Sequence, residues 1–267
     1  MEVWIYGVRP VEELLRRRPH QVAEVWLARQ DEVQRRIRRQ AEASGIRCRV
    51  CRPEEIAKRA QSSAHQSIAA RAPLPEYLDW QGLLTKLRSA ELSAESRKAQ
   101  AVSLLVLDCI QDPQNLGALL RVADGVGARA VVIPQDRAAG FSPAVLSASA
   151  GAGEWVPLVQ VKNLRRALEE LKQEGFWVVA ADPGGERDFQ EVDYPARTAL
   201  VIGSEGEGIR PLVLRACDQR VRIPLRGKVM SLNAAVAAGV VLFEVVRQAQ
   251  AREKGPDHRK GPKTPAP

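Results

Sequence analysis

Ser103-Leu-Leu-Val-Leu107, then Leu116-Gly-Ala-Leu-Leu-Arg-Val-Ala-Asp-Gly-Val126, then Arg129-Ala-Val-Val-Ile133 is the stretch that decides the fold. A short apolar run, a segment with helical spacing and a second apolar run form one strand–helix–strand unit. The pattern continues downstream. Leu164 to Glu174 reads as a helix, Phe176 to Ala181 and Leu200 to Ile202 as strands, and Leu232 to Gln248 as a long final helix. Strands that are apolar throughout belong in a parallel sheet covered on both faces. The predicted fold class is therefore α/β with a mostly parallel C-terminal sheet. In such sheets ligands bind beyond the carboxyl ends of the strands, which singles out Asp108 onward, Gly203 onward and Pro224 onward.

The first 77 residues read differently. Val11 to Arg18 and the basic Asp31 to Ala43 suit helices, and Val22 to Leu27 and Arg47 to Val50 suit strands, so a small α/β layer is expected. Pro73 and Pro75 end this pattern, and Ser89 to Gln100 is polar. The expected organisation is a small domain over 1–77, a linker over 78–101, a larger domain over 102–250 and a disordered basic tail over 251–267.

Charge follows this division. Of 267 residues, 40 are Lys or Arg and 32 Asp or Glu, a net of +8. Residues 1–77 carry 15 basic against 10 acidic side chains, residues 78–251 carry 20 of each, and the last 16 carry 5 against 2. An anionic partner is thus expected at the front module and tail, while a neutral remainder performs another task. The longest uncharged apolar run, Ala234 to Phe243, is well short of the roughly 20 residues that span a bilayer, so no membrane partner is expected. Four cysteines without a secretory pattern at the start lead to the expectation of a cytoplasmic location.

The three strand exits carry polar motifs. The first is Asp112-Pro113-Gln114-Asn115-Leu-Gly117-Ala with Arg121, where Asn115 is expected to cap the following helix. The second is Gly203-Ser204-Glu205-Gly206-Glu207-Gly208-Ile209-Arg210. Its glycine spacing is the reverse of a dinucleotide fingerprint, and its two carboxylates would repel phosphate. The third is Ile223-Pro224 followed by Gly227-Lys-Val-Met-Ser231-Leu232-Asn233, which leads into a helix apolar on nearly every side. Such a helix must be buried by its own domain or a second subunit. Trp155 reads as a packing residue, and the lone pair Cys48 and Cys51 lacks zinc-site spacing.

Taken together, in this order and at these intervals, the three motifs resemble the SpoU (TrmH-type) RNA ribose 2′-O-methyltransferases. The front segment is similar to that family's small RNA-binding domain through Ile5-Tyr6-Gly7-Val8 and His65-Gln66-Ser67-Ile68-Ala69-Ala70. The likeness is greatest to the branch acting on a guanosine of large-subunit ribosomal RNA, the alternatives being the same chemistry on transfer RNA or a non-catalytic RNA-binding protein on this fold. The resemblance implies a deep trefoil knot in the larger domain, a homodimer, and S-adenosylmethionine as cofactor. It further implies a catalytic set of Asn115, Arg121, Glu205, Ser231 and Asn233, with Gly203, Ile223 and Leu232 contacting the cofactor. The chain departs from the family pattern at Arg9, Ser147 and Ala235.

Overall fold

A computed structural model describes residues 2–92 and 102–253. The front part contains β1 (Glu2–Tyr6), α1 (Val8–Arg17), β2 (Glu24–Leu27), α2 (Glu32–Ala43), β3 (Arg47–Val50), α3 (Pro53–Ala60) and β4 (Ile68–Pro73). Its sheet order is β1-β4-β2-β3, with β4 antiparallel to both neighbours and β2 parallel to β3. Alternation sorts the two faces. Ile5, Val25, Leu27, Ile68 and Ala70 face the apolar stripe of α1 and α2, whereas Tyr6, Trp26 and Ala69 pack with Ile56 of α3. The strands β1 and β4 and the helix α3 extend the two strands and two helices read in the sequence.

The segment expected to be a linker is instead structured in its first half. Helix α4 (Trp80–Leu92) buries Leu83, Leu84 and Leu87 against the larger sheet, alongside Leu104, Val106 and Val159. Burial of three leucines outweighs the polarity that follows them, so α4 is part of the larger layer. Residues 93–101, and all but 251–253 of the expected disordered tail, lie outside the described residues.

The larger part comprises β5 (Val102–Asp108), α5 (Pro113–Gly125), β6 (Ala130–Pro134), α6 (Pro143–Ala148), β7 (Leu158–Val161), α7 (Leu164–Gln173), β8 (Trp177–Ala181), β9 (Arg187–Asp188), β10 (Arg197–Gly203), α8 (Pro211–Leu214), β11 (Gln219–Arg222) and α9 (Ala234–Glu253). The strand order is β7-β6-β5-β10-β8-β11-β9, and every pairing is parallel. Leu104 and Val106 of β5 face α4 and α7; Leu105 and Leu107 face α5 and α9. Both faces are thus covered, as the apolar strands required. Strand β10 returns to the middle of the sheet between β5 and β8, which brings the Asp108 and Gly203 exits side by side.

Helix α9 buries Ala238, Val241, Leu242 and Val245 against α5 and the sheet, yet Val236 and Phe243 stay about half exposed. The expected burial on all sides is therefore incomplete within one chain. By length and composition alone this helix would pass for a membrane span, but one side of it is core.

The two parts share a packed seam. Arg18, just after α1, forms two parallel hydrogen bonds to Glu154 at 2.7 and 2.9 Å and also reaches the Pro73 carbonyl at 3.1 Å. The Glu154 carboxylate is almost wholly buried. Replacing one partner of such a pair strands a buried charge, at a cost of about 3–5 kcal/mol. Glu154→Ala and Arg18→Ala should each lower the urea midpoint by that equivalent, and the double variant should lose less than the sum; additive losses would contradict the coupling.

Candidate active site

Motif residues at the strand exits are held in place from the sheet upward. Asp108 ends β5 fully buried; its Oδ2 accepts from the Arg210 backbone N–H at 2.8 Å and its Oδ1 from Arg210 Nε at 2.8 Å. That bond raises the Arg210 pKa, so the guanidinium is firmly charged. The loop from Gly203 to Arg210 is thereby tied at its far end to the neighbouring strand. Within it, Ser204 and Gly208 exchange backbone hydrogen bonds of 3.2 and 3.0 Å. A Cβ at Gly203 would lie 2.1 Å from the carbonyl carbon of Gly208, and Gly208 itself has φ of +68°. These glycines let the loop close on itself, while Gly206 at its tip meets nothing within 4 Å.

The loop presents Glu205 to two amides. Asn115 Nδ2 donates to Glu205 Oε1 at 3.1 Å, and Asn233 Nδ2 donates to the same oxygen at 2.6 Å and to Asn115 Oδ1 at 2.8 Å. Asn233 also caps α9, its Oδ1 accepting from the N–H groups of Ala235 at 2.9 Å and Val236 at 3.4 Å. Helix α5 begins earlier than its apolar spacing suggests. Asp112, not Asn115, is its cap and accepts from Gln114 N–H, with Pro113 in the first turn. This frees the Asn115 side chain for Glu205. Gly117, one turn on, is needed for packing, since a Cβ there would sit 2.4 Å from that of Ala148 in α6.

Beside this cluster lies a cavity of about 530 Å³ bounded by the exits of β8, β10 and β11 and the start of α9. Gly203, Glu205, Ile223, Ser231 and Leu232 all line it. So do Asp182 and Pro183 beyond β8, an exit the sequence reading did not single out. Their signal was the turn after the apolar run ending at Ala181. Its size falls in the roughly 300–1,000 Å³ range of small-molecule sites. Ile202, Ile209, Val221 and Leu225 give it apolar walls suited to a flat heterocycle, and Asp182, Ser204 and Ser231 supply polar groups for a ribose or amino-acid portion. A nucleoside cofactor of the S-adenosylmethionine type fits these walls.

Arg121 stands apart. It lies six residues beyond Asn115, which on a helix is about 9 Å along and 240° around the axis. Its exposed side chain borders a second groove, of about 480 Å³, with Glu13, Ser149 and Trp155, and has no ion-pair partner among the described residues. One chain therefore assembles Asn115, Glu205 and Asn233 by hydrogen bonds, places Ser231 on the adjoining cavity wall, and leaves Arg121 outside. The Cys109 thiol, at the first exit, is pushed up in pKa by burial and stays protonated.

The model of the SpoU rRNA Methylase family matches residues 102–243, and that for RNA 2′-O ribose methyltransferase substrate binding matches residues 4–78. The 23S rRNA (guanosine-2′-O-)-methyltransferase RlmB of Pseudomonas syringae is 40% identical over 94% of this chain and 97% of the relative. That of Shewanella oneidensis is 37% identical over 91% and 96%. Among solved structures, the SpoU methyltransferase AviRb from Streptomyces viridochromogenes, in complex with AdoMet, superposes with a TM-score of 0.73 at 23% identity, over 94% of this chain and 91% of that one. The A. aeolicus TrmH/SpoU tRNA modifying enzyme aligns with 65% of this chain and 86% of its own, at 30% identity and a TM-score of 0.52. With both models in register along the chain, relatives alike over nearly their whole length, and the three motifs meeting at one end of the sheet, this chain belongs to the SpoU rRNA methylase family.

Proposed function

We propose that this protein transfers a methyl group from S-adenosylmethionine to the ribose 2′-hydroxyl of a guanosine in 23S ribosomal RNA. The observation that carries the reading is the Glu205 carboxylate, held by Asn115 and Asn233 at the mouth of the cavity between the β10 and β11 exits. In this reading Gly203, Ile223 and Leu232 bound the cofactor pocket, and the chain around Gly203 and Ser231 follows the knotted course that the family resemblance implies. Bound there, S-adenosylmethionine supplies a methyl on a sulfonium, already an excellent leaving group. The protein then has to align the hydroxyl, take its proton and exclude water.

Glu205 Oε1 is occupied by the two amides, so Oε2 is the atom that can accept from the ribose hydroxyl. Ser231 adds a hydroxyl on the same wall. A guanidinium holds its proton too firmly to act as a base, so Arg121 serves by stabilising the developing alkoxide. It does so across a homodimer. Val236 and Phe243 of α9 form an exposed apolar strip beside Gly125, one turn from Arg121, and pairing this strip with its copy would carry Arg121 toward the partner's cavity. The front domain over 1–77 supplies RNA affinity from its excess positive charge, and the protein works in the cytoplasm, where ribosomes are assembled.

Ribosomal rather than transfer RNA is favoured by coverage. The ribosomal-RNA relatives match the front domain as well, whereas the tRNA-modifying structure aligns with only 65% of the chain. Labelled methyl transfer to unmodified 23S rRNA in the presence of excess unmodified tRNA tests this. Label is expected on the 23S rRNA; label on the tRNA alone would keep the chemistry and overturn the substrate.

A further inference from the structure

We infer that the groove between α1 and α5 is the track for single-stranded RNA next to the reacting nucleotide, with one unstacked base lying on Trp155. This rests on the reading of the protein as an RNA 2′-O-methyltransferase. Trp155 was expected to pack, yet its side chain is 44% exposed, whereas Trp26 in the front domain is 5% exposed. The exposure is not looseness. The indole N–H donates to Glu13 Oε2 at 3.0 Å, the Arg17 guanidinium lies 5.2 Å from the ring centroid, and the adjacent Glu154 is locked to Arg18. A fixed, partly exposed ring with a guanidinium over it combines the aromatic surface and the cation that single-stranded RNA sites use.

The surroundings fit a nucleotide chain. Glu13 is the acidic group nearest the ring, and its carboxylate is engaged by Arg16 at 2.7 Å as well as by the indole. Arg17 and Arg121 remain to meet phosphates, against Asp124. Ser149, Ala150 and Ala152 line the groove, all small residues that leave its floor unobstructed by long side chains. Ala150 there has φ of +51°, an unfavourable conformation for a residue with a Cβ and one that concentrates at ligand sites. Arg121 borders the same groove, so a base on Trp155 would set the strand's register relative to the arginine that acts on the hydroxyl. Sequence-selective RNA recognition works mainly on splayed, unpaired bases, which commits the occupant to single-stranded rather than duplex RNA.

The test uses the full chain with Trp155→Ala and Trp155→Phe, unmodified 23S rRNA as substrate, and a fluorescein-labelled unstructured oligoribonucleotide of about 12 nucleotides as binding probe. Trp155→Ala should raise the KM for rRNA and the Kd for the oligonucleotide by about tenfold or more, with the Kd for S-adenosylmethionine unchanged. Trp155→Phe, which keeps a ring but loses the bond to Glu13, should recover both to within about threefold of the parent. No change in Trp155→Ala overturns the inference. So does equal loss in both variants, because that identifies the indole as a brace between the two parts. If the unaltered protein methylates no RNA at all, the functional reading fails instead.

Discussion

Arg121→Ala lowers kcat by about two to three orders of magnitude and leaves the Kd for S-adenosylmethionine within about twofold of the parent, as expected for loss of one charged group acting on the transition state. The cavity does not include Arg121, so cofactor binding has no reason to change. Equal loss of binding and turnover would contradict the assignment. The same variant tests where Arg121 works. Mixed dimers of Arg121→Ala and Glu205→Ala chains regain activity if the arginine of one chain serves the glutamate of the other, because one site then keeps both groups. If Arg121 serves its own chain, each site lacks one group and the mixture stays inactive. The six-residue offset from Asn115 along α5 favours the first outcome.

Gly203→Ala raises the Kd for S-adenosylmethionine by about two orders of magnitude, because displacing a site by even an ångström carries a cost of that size. The new Cβ would lie 2.1 Å from the carbonyl carbon of Gly208 and 2.4 Å from the backbone nitrogen of Ile209. Neither is a flexible side chain that can swing aside. The loop must move, and with it one wall of the cavity and the Glu205 carboxylate. Gly206→Ala is the control, since a Cβ there meets nothing within 4 Å. Calorimetric titration of both variants, with thermal unfolding to confirm folding, separates them. Similar affinities for the two would mean that the closure of this loop does not shape the pocket.

How far the sequence could be read depended on how local each determinant is. The parallel sheet was legible because Leu104 to Leu107 and Val131 to Ile133 are apolar on both faces, a pattern set by burial of the strand itself. The strand exits were legible as the place where ligands bind, whereas the choice of Gly203, Ile223 and Leu232, which line the cavity there, came from the family resemblance. Asn115 was given the wrong local role, since apolar spacing starts at Leu116 whereas Asp112 caps the helix one turn earlier. The spacing of Leu78 to Leu87 allows a helix, but its place in the larger layer was hidden because its three buried leucines precede a polar stretch that reads as a linker. The Asp108–Arg210 tie and the Asp182 wall depend on β10 entering between β5 and β8, a pairing of distant segments that no local pattern encodes. Arg121 likewise shares a motif with Asn115 in sequence while facing another groove in space.

The most direct measurement is the chemical identity of the product. Unmodified 23S rRNA incubated with the protein and methyl-labelled S-adenosylmethionine is digested to nucleosides and the label located. The account predicts that it resides in 2′-O-methylguanosine, and that Arg121→Ala forms this product about two to three orders of magnitude more slowly. Label on a base, or on the ribose of a different nucleoside, would contradict it.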